Sequence, residues 1–278
     1  VVLVVSVFLL PPLRGHLSAP RRTIPDIISL VKERNVQLSF LMTAIVMSAG
    51  FVLIPNIASY LQFNLGVPEA HIKMVLNDKA DRLAFDLTFE WMKLNVRKEG
   101  RIYFYFSGRG TYRRSVYLLP YDSDPRSPDK TAVPLQSFLQ DLGKTPAKEI
   151  LAFIDTSYSG SGDRSFIPAE GIAPRSIADI DAAPRVALLS GVSSADVAGV
   201  MPGGGGLFTH FLLDALANGK GDIDGDGQIT LQEVLSWAGP RVSREARKAK
   251  HSQTPSVVVG PSVGSPALYV VASGLPTQ

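Results

Sequence analysis

Hydrophobic and polar positions fall into two regimes along this chain. Between Asn35 and Glu69 no residue is charged, and the run 37–63 is almost continuously apolar. About 20 apolar residues cross a bilayer core as a helix, so 37–63 is long enough to span one. Pro55 would kink that helix, which a membrane span tolerates better than an exposed helix does. The competing reading is a helix buried in a protein core. The run Val1–Leu10 is also apolar but too short to span, and it has no basic residues ahead of it to make a signal peptide.

From residue 71 onward strand and helix patterns alternate. Leu76–Val96 has helical periodicity, with Leu83, Leu87, Trp91 and Leu94 on one face. Arg101–Ser107 alternates aromatic residues and ends at Gly108, which predicts a strand. Ser115–Leu119 is a further short strand, and Leu135–Leu142 a short helix stopped by Gly143. Glu149–Asp155 and Arg185–Gly191 read as buried strands. Leu207–Ala217 is an amphipathic helix, and Leu231–Lys248 a helix interrupted near Gly239 and Pro240. The alternation predicts an α/β fold whose mainly parallel sheet is covered by helices on both faces. In such sheets functional loops follow the carboxyl ends of the strands.

Charge and composition narrow the chemistry. The formal net charge is +3, and no Lys/Arg block is interleaved with aromatics, so nucleic acid is not an expected partner. The chain contains no cysteine, which excludes disulfides, thiolate metal sites and a thiol nucleophile. The basic flank Arg14, Arg21, Arg22, Lys32 and Arg34, against Asp26 and Glu33, would place the region before 37–63 on the cytoplasmic side. The remainder would then lie outside the cytoplasm. A first residue of Val1 rather than Met fits a fragment, a processed product or a mistranslated start.

Two predicted strand ends carry the candidate chemistry: Phe106-Ser107-Gly108-Arg109-Gly110 and Asp155-Thr156-Ser157-Tyr158-Ser159-Gly160. Each is a strand breaking into a glycine-containing turn, and alone each fits a purely structural turn. In this order, followed by RVALLSGVSSADVAG and GGGGLFTHFLLDAL, the stretch from Met74 to Val271 resembles the caspase/metacaspase-like cysteine peptidases. In that family the first loop reads S-G-H-G and supplies the general-base histidine. The second reads D-x-C-x-S-G and supplies the nucleophilic cysteine. Here Arg109 stands at the histidine position and Ser157 at the cysteine position.

A thiol ionises within reach of neutral pH, whereas a serine hydroxyl needs an adjacent base. Arg109 is permanently protonated and has no lone pair to accept a proton. The histidines are His16, His71, His210 and His251, none of them in either loop. The resemblance implies oxyanion-hole positions at Gly110 and Ser157. It implies a specificity residue at Asp155, selecting Arg or Lys side chains. Asp155 reads equally well as a loop cap or a partner of Arg109. The family sheet opens with a strand–helix–strand–helix section, whereas here a single helix precedes the first predicted strand. The expected fold is thus a caspase-like sheet lacking its N-terminal strands and preceded by a transmembrane-like helix.

Residues 1–70 resemble instead a piece of a major facilitator superfamily permease, its central basic loop and the span after it. The resemblance rests on RRTIPDIISLVKERNVQLSFLMTAIVMSAGFVLIPNIASYLQFNLGVPEAHI. One span cannot enclose a transport site, so this piece could anchor the chain but not transport. The domain division expected is 1–70 and 71–278.

The segment 222–233 fits the EF-hand loop at every ligand position. Asp222, Asp224 and Asp226 would give side-chain oxygens, Gln228 a carbonyl, and Thr230 a direct or water-mediated contact. Glu233 would be bidentate, and Gly227 sits at the sharp turn. The ligand expected is Ca2+; the alternative is a turn that caps the following helix. The function these residues favour is a catalytically silent caspase-like protein that binds or scaffolds basic peptides, attached to membrane through 37–63. The alternatives are a hydrolase with residual Ser157-dependent activity and a non-functional fusion to a permease fragment.

Overall fold

The computed structural model describes residues 71–113, 115–124, 126–158, 180–193, 196–202 and 204–273. The chain divides into two units, Val1–Ser48 and Ala49–Gln278, and every described residue belongs to the second. The permease-like stretch 1–70, with the uncharged run 37–63, lies outside the described residues. Among the described residues no helix is long and apolar enough to cross a membrane.

The central sheet has four strands: β1 (Arg101–Ser107), β5 (Glu149–Asp155), β6 (Val186–Ser190) and β8 (Ser256–Val259), in the order β1-β5-β6-β8. The first three are mutually parallel, and β8 closes one edge antiparallel. The mainly parallel α/β sheet expected from the alternation is present. Its central strands are apolar throughout because both faces are covered. Along β5 the side chains alternate: Ile150, Ala152 and Ile154 enter one core, while Leu151 and Phe153 enter the other. The period of two follows from the pleat.

On the first face lie α1 (Arg82–Asn95) and α3 (Leu135–Leu142). Helix α1 starts six residues later than the periodicity predicts. Asp81 fixes its origin, accepting a hydrogen bond from Ala84 N at 2.7 Å as an N-cap. Its inward stripe differs in part, although Trp91 packs against the core as expected. Phe85, Phe89 and Met92 pack on the core, and the Phe85 ring meets Phe138 edge-on at 4.9 Å. Leu83, Leu87 and Leu94 are exposed, at 64%, 53% and 83%. Two apolar stripes compete on this helix, and the aromatic one, with more area to bury, takes the core.

On the second face lie α4 (Leu207–Leu216) and α5 (Leu231–Lys248). The predicted break near Gly239 and Pro240 is absent, and α5 runs unbroken through Pro240. Leu231, Val234, Ala238, Val242 and Ala246 form its buried stripe, while Pro240 is exposed on the far side. The hydrogen bond that proline removes is thus lost on the solvent side, and inward packing holds the helix together.

The remaining strands form two small antiparallel sheets. β2 (Arg109–Arg113), β3 (Ser115–Leu119) and β4 (Val133–Pro134) make one, with the short helix α2 (Pro128–Thr131) leading into β4. β7 (Gln228–Thr230) pairs with β9 (Val270–Ser273) in the other.

Candidate functional site

The parallel register places Ser107, the last residue of β1, beside Asp155, the last residue of β5. Gly108 N donates to Asp155 O at 3.3 Å, tying the two strand ends together. The first of the two predicted loops proves to be a single residue. After Gly108 the chain enters β2 at once, so Arg109 and Gly110 are strand residues paired with Leu119 and Leu118.

The Arg109 side chain is exposed, whereas Gly110 is buried. A Cβ at Gly110 would lie 2.7 Å from the Tyr158 ring and 3.0 Å from Ser157 O, so only glycine permits this approach. The structure thereby brings the two family dyad positions, 109 and 157, to one place at the carboxyl end of the sheet.

Ser157 is fully buried, and its hydroxyl donates to Asp196 O at 3.2 Å. That carbonyl accepts a hydrogen bond but cannot take up the hydroxyl proton as a catalytic base. The Asp196 carboxylate is itself an anchor. It accepts from Ser252 Oγ at 2.7 Å, Thr254 N at 2.9 Å and Ser193 Oγ at 3.1 Å.

Asp155, expected to select basic side chains, to cap its loop or to pair with Arg109, is fully buried. Its Oδ2 accepts from Thr209 N at 3.2 Å and from the Thr209 hydroxyl. Thr209 lies in the first turn of α4, where backbone N–H groups lack intrahelical partners and the dipole favours a negative charge. The Thr209 proton is committed to Asp155, so Tyr105 supplies the proton of its own 2.7 Å contact with Thr209 Oγ1. Beside this group Tyr158 is buried, its hydroxyl without a hydrogen-bond partner among the described residues. Burial first, and then the Asp155 charge, pushes the Tyr158 phenol well above the usual tyrosine range.

Asp196, Thr209 and Tyr105 are absent from the sequence-level site. Asp196 sits in a Ser-Ser-Ala-Asp run that reads as a polar turn. The Thr209–Asp155 contact bridges 54 residues, beyond any local signal.

The acidic segment 222–233 follows α4 and runs through β7 into the first turn of α5. Carboxylate oxygens of Asp222, Asp224 and Asp226 lie within 4.8 Å of one another. Gly227 has φ +80°, the left-handed conformation the sharp turn requires. Asp222 Oδ2 accepts from Gly227 N at 3.0 Å, folding the loop back on itself. Gln228 and Thr230 are in β7, with Ile229 between them buried in the core.

Glu233, the expected bidentate ligand, is engaged otherwise. Its Oε2 accepts from Thr230 N and Thr230 Oγ1 at 2.8 Å each, and its Oε1 accepts from Ile223 N at 3.0 Å. Thr230 and Glu233 make a reciprocal capping box at the start of α5. Burial works upward on the Glu233 carboxyl, but the hydrogen bonds from Thr230 and Ile223 outweigh it and hold the group below the usual range. The three aspartates are thus brought together, and Glu233 is not among them.

A solved structure, protein GSU0716 from Geobacter sulfurreducens, is similar at 15% identity with a TM-score of 0.49, covering 72% of this chain and 80% of that one. No curated protein matches. The family model of the caspase domain matches residues 42–261, beginning inside the stretch that resembles a permease. With the two strand ends that carry the family dyad positions side by side, and most of the sequence within that match, the chain belongs to the caspase domain family.

Proposed function

We propose that this caspase-family chain is catalytically silent and acts by binding or scaffolding. The observation that carries the reading is the state of position 157. The chain has no cysteine, and the serine there is buried with its hydroxyl donated to a backbone carbonyl. Arg109 at the base position cannot accept a proton. Nucleophile and base act as a unit, so losing both costs several orders of magnitude in rate.

Basic peptide segments are the proposed ligand only when the Asp155–Thr209 contact opens, because the Asp155 carboxylate is enclosed. The loop at Asp222, Asp224 and Asp226 is the proposed Ca2+ site, with Glu233 joining it only if it leaves its capping box. Attachment to membrane through 37–63, with the caspase-like part outside the cytoplasm, completes the proposal.

The test is turnover of Arg- and Lys-containing reporter peptides with and without calcium. None is expected from the natural chain. Some is expected from the double change Ser157→Cys with Arg109→His, and none from either change alone. Turnover by the natural chain that disappears in Ser157→Ala would establish the rival reading, a Ser157-dependent hydrolase.

A further inference from the structure

We propose that the cleft beyond the carboxyl end of α5 binds a phosphate oxyanion, free or as a monoester. The cleft is open to solvent, has a volume of about 480 Å³ and is lined by Arg247, Lys250, His251, Ser252, Gln253 and Thr254, among others. Arg247 and Lys250 are exposed, and neither has an acidic partner among the described residues. The other cations of the same helix are engaged. Lys248 pairs with Glu245 at 2.8 Å, Arg244 approaches Glu245 at 3.7 Å, and Arg241 lies 3.3 Å over the Trp237 ring. Arg247 on the helix and Lys250 just past its end both line the cleft.

The backbone of Lys250 is the second observation. Helix α5 ends in a Schellman turn: His251 N donates to Ala246 O at 3.2 Å, and Lys250 N to Arg247 O at 3.0 Å. Lys250 occupies the left-handed position of that turn, at φ +61°. Glycine or asparagine is the usual residue there, and lysine is strained. A cation near a helix terminus complements the dipole, which accounts for Arg247. It does not account for a lysine held past the end of the helix in a conformation lysine disfavours. Such outliers cluster at ligand sites.

The cleft floor is rigid. Gln253 is buried, accepting from Gly199 N at 2.8 Å and donating to Gly191 O at 3.0 Å. The nearby Asp196 carboxylate is held by Ser252, Thr254 N and Ser193, and it offsets only one of the two cations. A planar guanidinium, an ammonium and the exposed Thr254 hydroxyl line the same cleft, and such donors suit a tetrahedral dianion. The same Asp196 accepts the Ser157 hydroxyl on its carbonyl, so the cleft adjoins the dyad position.

The experiment titrates the full chain with inorganic phosphate against chloride at constant ionic strength, read by calorimetry and thermal melting. A phosphoserine peptide and its unphosphorylated twin form the second arm. Saturable binding is expected, weakened at least tenfold in Arg247→Ala and in Lys250→Gly. Lys250→Gly should bind worse while melting at an unchanged or higher temperature, since glycine relaxes the turn. A purely structural lysine would not show that split. Tighter binding of the phosphopeptide than of phosphate assigns a monoester, and equal binding assigns the free ion. Absence of saturable binding by phosphate and phosphopeptide alike, or affinities unchanged in both variants, overturns the proposal.

Discussion

Replacing Thr209 with valine removes one hydroxyl and leaves shape and volume nearly intact. That hydroxyl donates to the fully buried Asp155 carboxylate and accepts from Tyr105. A hydrogen bond to a charged group contributes about 1.5–3 kcal/mol, and the carboxylate would keep only Thr209 N as its partner on α4. Tyr105 is half-buried, so water can replace part of its bond, and its loss adds at most about 1 kcal/mol. The expected destabilisation is about 1.5–4 kcal/mol. For a domain of this size each kcal/mol lowers Tm by about 2–4 °C. Thermal and urea unfolding of the two proteins measure the difference. Tyr105→Phe, run in parallel, should cost about 0.5–1 kcal/mol. A loss under about 0.5 kcal/mol for Thr209→Val would refute the view that Asp155 holds α4 to the strand end.

Tyr158 should make the domain sensitive to alkali. Its folded phenol titrates above the unfolded value, so its contribution is fully present below pH about 10 and is lost as pH rises beyond that. Tyr158→Phe should blunt that loss, seen in melts from pH 8 to 11, and be neutral or slightly stabilising at pH 7, because its hydroxyl lacks a partner. Calcium should raise Tm by mass action, about 2.7 kcal/mol of stability at a hundredfold excess over Kd, with magnesium doing less. Asp224→Asn should weaken that shift, and identical melts in chelator, calcium and magnesium would mark 222–233 as a turn alone. The full chain should sediment with membranes, and recovery in a detergent-free high-speed supernatant would rule out anchoring by 37–63.

β5 and β6 were legible because both their faces are buried, and Gly108 and Gly191 mark where β1 and β6 end. Glu149–Asp155 matches to the residue, and so does helix Leu135–Leu142 before Gly143. Periodicity failed on α1 for a physical reason. It detects an apolar stripe, but Leu83, Leu87 and Leu94 compete with Phe85, Phe89 and Met92, and only the tertiary core decides between them. The spacing of Asp222, Asp224 and Asp226 was readable. The engagement of Glu233 was also written locally, because Thr230 and Glu233 stand at capping-box spacing, which competes with the ligand role. The partner of Asp155 was not readable, since it comes from a helix far along the chain.

The parallel order of the central sheet has a kinetic consequence. Arg101 and Glu149, side by side at the start of β1 and β5, are 48 residues apart, and Ser256 reaches back 64 residues to hydrogen-bond Val192. No neighbouring pair in this sheet is a hairpin, so no pair can form before a long loop has closed. The chain must gather its central strands from distant stretches before burial repays the entropy, which predicts slow, late-committing folding. During that search Glu149–Asp155 and Val186–Ser190, the most apolar segments of the sheet, are exposed together, and they are where intermolecular pairing would begin.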